Sequence, residues 1–296
     1  MALNIGMIGA ENSHTVAIAR VLNVDKKIPG VRLTHVWGET SRFAKDAADR
    51  GEIPEIVRDP REMIGKVDAV CVDHRDGKYH LPAVRPFLES KTPIFVDKPF
   101  CDNVTQGKKF LLRARELKVP VTSFSTLPKQ ESFGKLAREA RKLGKIHAVV
   151  STGPCDIRSK YGGVFFYGIH QVDMVLRLLG YDFFRVQLVK GKGKNHSANI
   201  LFRDGAMATM NLIGAGGAGF HLSVIGEKGR IDSPIPMDAS PYLTGIRECV
   251  RTFKTGKTNE TWQSILGPVS VLCGLQLSAQ KPQARIMASI DADPEV

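Results

Sequence analysis

Asp97-Lys98-Pro99 closes a short apolar run, Ile94-Phe95-Val96, too short and too apolar for anything but a buried strand. Pro99 disfavours helical geometry at Lys98 and brings no amide to a ladder, so the strand stops there. The result is one carboxylate and one ammonium pinned at a strand end, the place where open α/β sheets bind ligands. A lysine so held can stabilise a developing alkoxide and relay its proton. Either isomer of the Lys98–Pro99 bond fits this reading. A second chemical cluster, His170, Asp173 and Arg177, recurs at helical spacing beside an apolar stripe of Ile169, Val172, Leu176 and Leu179. Asp173 either orients the imidazole or pairs with Arg177.

The elements that must hold these residues follow from periodicity. Over the first ~120 residues strand-like and helix-like segments alternate, the pattern of a parallel sheet with covering helices. Strands are expected at 4–8, 31–37, 69–72, 94–96 and 119–123, with helices at 13–22, 41–50, 81–89 and 106–117. After Phe124 the pattern changes to helices at 129–143 and 168–179 and to successive strands at 146–151, 184–189, 198–202, 207–212, 221–224 and 230–232. Hairpin turns are expected at Arg203-Asp204-Gly205 and Glu227-Lys228-Gly229. Helices at 241–253 and 264–278 finish the chain. The expected division is 1–123, a dinucleotide-binding domain of Rossmann type, and 124–296, an α+β domain with a large, mainly antiparallel sheet.

The loop after the first strand reads Gly9-Ala10-Glu11-Asn12-Ser13-His14. A G-x-G-x-x-G turn would place glycines at 11 and 14. The second glycine lets a backbone approach a pyrophosphate, and Glu11 would repel one. The helix N-terminus still favours a phosphate, and Asn12, Ser13 and His14 each have a hydrogen-bond donor to offer. After the second strand comes Gly38-Glu39-Thr40-Ser41-Arg42. An acid at the strand end would hold ribose hydroxyls. Gly38 stands there, and Thr40, Ser41 and Arg42 suit a 2′-phosphate, so NADP is slightly favoured over NAD. The alternative is that Thr40 or Ser41 only caps the next helix.

The net charge is +12 over 296 residues. This favours anionic ligands, phosphorylated cofactors among them. The basic residues are dispersed, without zinc-finger spacing or an RNA-binding aromatic motif, so nucleic acid is not expected as a partner. No run approaches the ~18 apolar residues of a membrane span. Five cysteines, with no CxxC pair, are expected as reduced thiols of a cytoplasmic protein, and no metal site is expected.

Four segments in register resemble the Gfo/Idh/MocA oxidoreductases. Val96-Asp97-Lys98-Pro99 is similar to that family's E-K-P motif, with Asp for Glu. Arg75-Asp76-Gly77-Lys78-Tyr79-His80 lies where the family has T-P-N-x-x-H and keeps the final His80. Gly162-Gly163 followed by Gly168-Ile169-His170 and Asp173 resembles the G-G-x…D-x-G-x-H segment. Phe202 to Gly205 and Val224 to Gly229 resemble two sheet hairpins.

The resemblance implies oxidation or reduction of a sugar, cyclitol or related polyol with NAD(P), in a cleft shared by two domains. Lys98 and His170 would be catalytic. Gly9, Ala10, Asn12, Ser13, His14, Thr40, Ser41, Arg42, Asp73, His74, His80, Asp97 and Lys98 would line the cofactor. Asp156, Arg158, Tyr167 and His170 would line the substrate. It also implies a homodimer or homotetramer formed through the C-terminal sheet. The family's catalytic Asp, four residues before the His, is Phe166 here. That departure, with Glu11 and His14, keeps two other readings open: a non-catalytic nucleotide- or sugar-binding regulatory protein, and NAD-assisted elimination or glycoside cleavage.

Overall fold

The computed structural model describes residues 2–282 and 284–294. Along the first part of the chain the order is β1 (Leu3–Ile8), α1 (Ser13–Ala19), β2 (Val31–Trp37), α2 (Ser41–Gly51), β3 (Glu55–Ile56), β4 (Ala69–Val72), α3 (His80–Glu89), β5 (Ile94–Val96), α4 (Val104–Glu116) and β6 (Val121–Thr122). The six strands form one parallel sheet in the order β3-β2-β1-β4-β5-β6. β4 and β5 are buried at every position, as strands covered on both faces must be. The strand order reverses at β1, between β2 and β4, so the loops leaving β1 and β4 part and open a crevice. The helix expected at 13–22 is α-helical only to Ala19 and widens into a π-helical turn over Arg20–Val24.

The chain continues with α5 (Glu131–Ala140), β7 (Ile146–Pro154), α6 (Val164–Leu179), β8 (Phe183–Lys190), β9 (Asn195–Phe202), β10 (Met207–Ile213), β11 (His221–Gly226), β12 (Gly229–Pro234), α7 (Leu243–Thr255), α8 (Trp262–Gln280) and β13 (Ile286–Met287). A second sheet has the order β12-β11-β7-β10-β9-β8-β13. All of its pairs are antiparallel except β7 with β10, which run parallel. Strands β7 to β10 alternate buried and half-buried residues, and α6 and α8 pack against each other and against this sheet.

Two compact units result. One holds residues up to Cys101, Thr105–Phe124 and Tyr242–Glu260; the other holds Asp102–Val104, Ser125–Pro241 and Thr261 onward. The division is therefore not one cut near residue 123: α7 returns to the first unit. Its Ile246, Cys249, Val250 and Phe253 share a core with Ile5 and Met7 of β1, Leu33 of β2, Cys71 of β4, Phe95 of β5 and Phe124. Among the described residues no helix is long and apolar enough to cross a membrane, and all five cysteines are free thiols.

Candidate active site

Gly9 turns the chain out of β1 with φ of 105°. A Cβ there would lie 2.8 Å from the Asp73 carbonyl carbon, so only glycine lets the loop pass the end of β4. The amides of Ala10 and Glu11 both donate to Oε2 of Glu39, at 2.9 Å each. Oε1 of Glu39 is buried without a hydrogen-bond partner. Asn12 precedes α1 as its cap residue, yet its side chain does not cap the helix. It donates instead to Oδ1 of Asp73 at 2.7 Å. Ser13 is exposed at the first position of α1. Arg75, from the β4 loop, reaches across the crevice and donates its Nε–H to the Glu11 carbonyl at 3.2 Å.

Thr40 is the N-cap of α2, accepting from the Phe43 amide at 3.1 Å, and Ser41 and Arg42 are exposed on the first turn. The capping alternative thus describes Thr40, and Glu39 is the residue after β2 that reaches the loop.

At the end of β5, Asp97 and Lys98 are 4% and 5% exposed, and the Lys98–Pro99 peptide is cis. His14 Nδ1 lies 3.1 Å from Oδ2 of Asp97 and 3.8 Å from Oδ1 of Asp73, and its ring stands 4.9 Å from that of Tyr242. Burial and the neighbouring Asp97 raise the carboxyl of Asp73 well above the usual range. For Asp97 burial acts upward too, but His14, Lys98 and His80 outweigh it and hold the group low. Two adjacent buried carboxylates cannot both ionise cheaply. Thr15 works against the upward shift of Asp73: its Oγ donates to the Gly9 carbonyl at 2.8 Å and to Oδ2 of Asp73 at 2.7 Å. Ligand atoms of His14, Asp73 and Asp97 all lie within 4.8 Å of one another, close enough for a cation, but here they are bonded to each other, to Asn12 and to Thr15.

His80 is fully buried, and both ring nitrogens face carbonyls, Pro99 at 2.8 Å and His74 at 2.8 Å. It ties the β4 loop to the β5 loop and is not presented to a ligand. His74 sits between Trp37 and Tyr79, each ring 5.9 Å away, with Nδ1 buried and unpartnered. Burial and His80 push its pKa down to about 3.

In the second unit, Gly163 (φ 63°) precedes α6 and passes 3.0 Å from the Ile157 carbonyl at its would-be Cβ. The helix starts four residues earlier than periodicity indicates, so Phe166 and Tyr167 are helical. Their rings continue an aromatic series: Tyr161 to Phe166 at 5.0 Å, Phe166 to Tyr167 at 4.9 Å, Tyr167 to His170 at 5.7 Å and His170 to Phe220 at 5.6 Å. His170 Nδ1 lies 2.7 Å from Oγ of Ser125. Asp173 accepts from Arg177 Nε at 2.8 Å and from the Ser125 amide at 3.2 Å. Asp173 therefore pairs with Arg177 and is linked to the imidazole through Ser125, a residue without any signal in the sequence. Asp156 accepts the Arg158 amide in a local turn, and both charges act on His196 of β9. Lys98 belongs to the first unit and His170 to the second.

Residues 3–124 match the model of an oxidoreductase family, Gfo/Idh/MocA, described as having an NAD-binding Rossmann fold. No curated protein sequence matches the chain. Among solved structures, GenD2 from gentamicin A biosynthesis, in complex with NAD, is 19% identical at a TM-score of 0.86, over 98% of this chain and 97% of that one. The myo-inositol dehydrogenase of Lactobacillus casei, in complex with NAD(H) and myo-inositol, is 18% identical at 0.80, over 99% of each chain. A myo-inositol dehydrogenase assigned in Sinorhizobium meliloti 1021 is 16% identical at 0.81, over 97% and 100%. At such identities the likeness establishes a shared fold.

Proposed function

We propose that this chain, whose residues 3–124 carry the NAD-binding domain of the Gfo/Idh/MocA oxidoreductases, is a nicotinamide-dependent dehydrogenase of a sugar, cyclitol or related polyol. The observation that carries the reading is the pair of unpartnered buried polar atoms at the crevice, Glu39 Oε1 and His74 Nδ1. A buried acceptor without a donor costs about 1–3 kcal/mol. A ribose diol brings hydroxyl donors of the right kind, so these residues fit the cofactor. When bound, the nicotinamide supplies the hydride acceptor or donor.

The chain's own residues do the rest. Glu39 takes the ribose hydroxyls. Its carboxylate turns the choice toward NAD, against the slight NADP preference that Gly38, Thr40, Ser41 and Arg42 carry by themselves, because a 2′-phosphate would meet it with like charge. With Ala10 and Glu11 amides already given to Glu39, the amides of the first turn of α1, left uncapped by Asn12, are the ones open to the pyrophosphate. Lys98, buried beside the Asp97 carboxylate, stabilises negative charge on the substrate oxygen and passes its proton. His170 and Tyr167 present polar groups to the substrate. Phe166, at the position of the family's catalytic Asp, offers an aromatic face instead of a carboxylate. The half-buried outer positions of β8, β9 and β10, with Met207 exposed, are the surface through which a homodimer or homotetramer would form.

Titration with NADH and NADPH, followed by quenching of Trp37, tests the reading. Tighter binding of NADH, then turnover of a polyol, supports it. Failure of both nucleotides to bind at millimolar concentration ends it. Phe166 favours one rival, a regulatory protein that binds a nucleotide without turnover. Tight NADH binding with no hydride exchange to any polyol would select that rival.

A further inference from the structure

We propose that Ser125 holds His170 in the tautomer that carries its proton on Nε2, so that this imidazole acts as a hydrogen-bond donor and not as a proton acceptor. Ser125 is 1% exposed and His170 is 6% exposed, and Oγ and Nδ1 are 2.7 Å apart. The roles follow from counting protons around Oγ. The Leu127 amide donates to it at 3.4 Å. Among the described residues its own hydroxyl proton then has one acceptor, Nδ1 of His170. Were Nδ1 protonated, Oγ would receive two N–H groups and the hydroxyl proton would be buried with nowhere to go. With Nδ1 as acceptor, the Leu127 amide and the Ser125 hydroxyl proton are both satisfied, and the ring proton sits on Nε2.

Oδ1 of Asp173 accepts from Arg177, and its Oδ2 accepts the Ser125 amide, which anchors the serine backbone. Ser125 is thus a positioning residue. A carboxylate in its place would draw a proton onto Nδ1 and favour the imidazolium; a hydroxyl held this way opposes it. On the dehydrogenase reading, His170 donates to the substrate oxygen, and the proton acceptor during oxidation is another group.

Two-bond proton–nitrogen correlation spectra of the unliganded wild-type protein, labelled with 15N-histidine, test this directly. A His170→Gln variant identifies the signals. The expected pattern is an unprotonated Nδ1 and a protonated Nε2. The reverse pattern, or a doubly protonated ring at neutral pH, overturns the proposal without need of any Ser125 variant. In Ser125→Ala the ring is expected to become a mixture of tautomers, with kcat on a turned-over polyol down about tenfold and KM little changed. An unaltered tautomer in that variant also overturns it. The tautomer does not rest on the dehydrogenase reading: Nε2–H found in a protein that oxidises no polyol sinks that reading and leaves this assignment standing.

Discussion

The crevice of the first unit and the His170 cluster of the second both bury ionisable groups, by opposite means. In the crevice Asp73, Asp97, Lys98, His80 and most of His14 lie within a few residues' reach of one another, and their charges set each other's protonation. Around His170 a hydroxyl and the rings of Tyr167 and Phe220 make close contacts, and Asp173 pairs with Arg177 one helical turn along. A coupled set of charges holds position through long-range attraction and is exposed to the loss of any member. A hydroxyl–imidazole pair is directional, and its failure stays local.

The same substitution in the two regions should show this. Asp97→Asn removes the charge that faces Lys98 and His14, and should destabilise the protein by about 3–5 kcal/mol in urea unfolding. A loss below about 1 kcal/mol would mean the crevice charges are not coupled. Acid should separate the regions next. His74 takes its proton near 6.5 when unfolded and near 3 when folded. Between those values the unfolded chain binds more protons, so stability falls as pH falls. The contribution reaches about 3 kcal/mol at about pH 4, and a His74→Gln variant should lack that part of the slope. Asp173→Asn, by contrast, should cost only about 1.5 kcal/mol, since an amide oxygen still accepts the Ser125 amide and Arg177 is partly solvated. Glu39→Gln should shift the ratio of NADH to NADPH affinity by about tenfold toward NADPH, read by fluorescence titration. Smallest of all, Thr40→Ala should lower stability by about 1 kcal/mol through loss of the α2 cap and leave both nucleotide affinities unchanged.

Much of this was legible in the chain. Ala69–Val72 and Ile94–Val96 have the predicted bounds because continuous apolar runs flanked by turn residues have one solution in a covered parallel sheet, and Val31–Trp37 has them because its Val31, Leu33 and Val36 are buried between polar neighbours. The two-residue strands Glu55–Ile56 and Ile286–Met287 escape such reasoning, since they owe their existence to a neighbour's edge. The partner of α7 is equally hidden: an amphipathic pattern marks a buried face without saying against what. Within the site, two departures from the family pattern, His14 for glycine and Asp97 for glutamate, looked separate. They lie 83 residues apart and meet at 3.1 Å, the longer side chain filling toward the shorter. Glu39 stood one residue beyond the expected acid, so an acid anywhere in the first two residues after β2 is the signal to seek. Ser125 gave none, because a lone serine after a strand is ordinary until its neighbour is known.

The return of α7 to the first unit also bears on how the protein is made. During synthesis the sheet β1–β6 is complete in sequence by Thr122, yet the core around Phe95 and Phe124 lacks Ile246, Val250 and Phe253 until the chain has grown past residue 253. Nearly all of the second unit's sheet has been translated by then. The sheet of the first unit, translated ahead of that of the second, is thus among the last parts to close, and a fragment ending at Phe124 would leave the ribosome with an apolar wall uncovered.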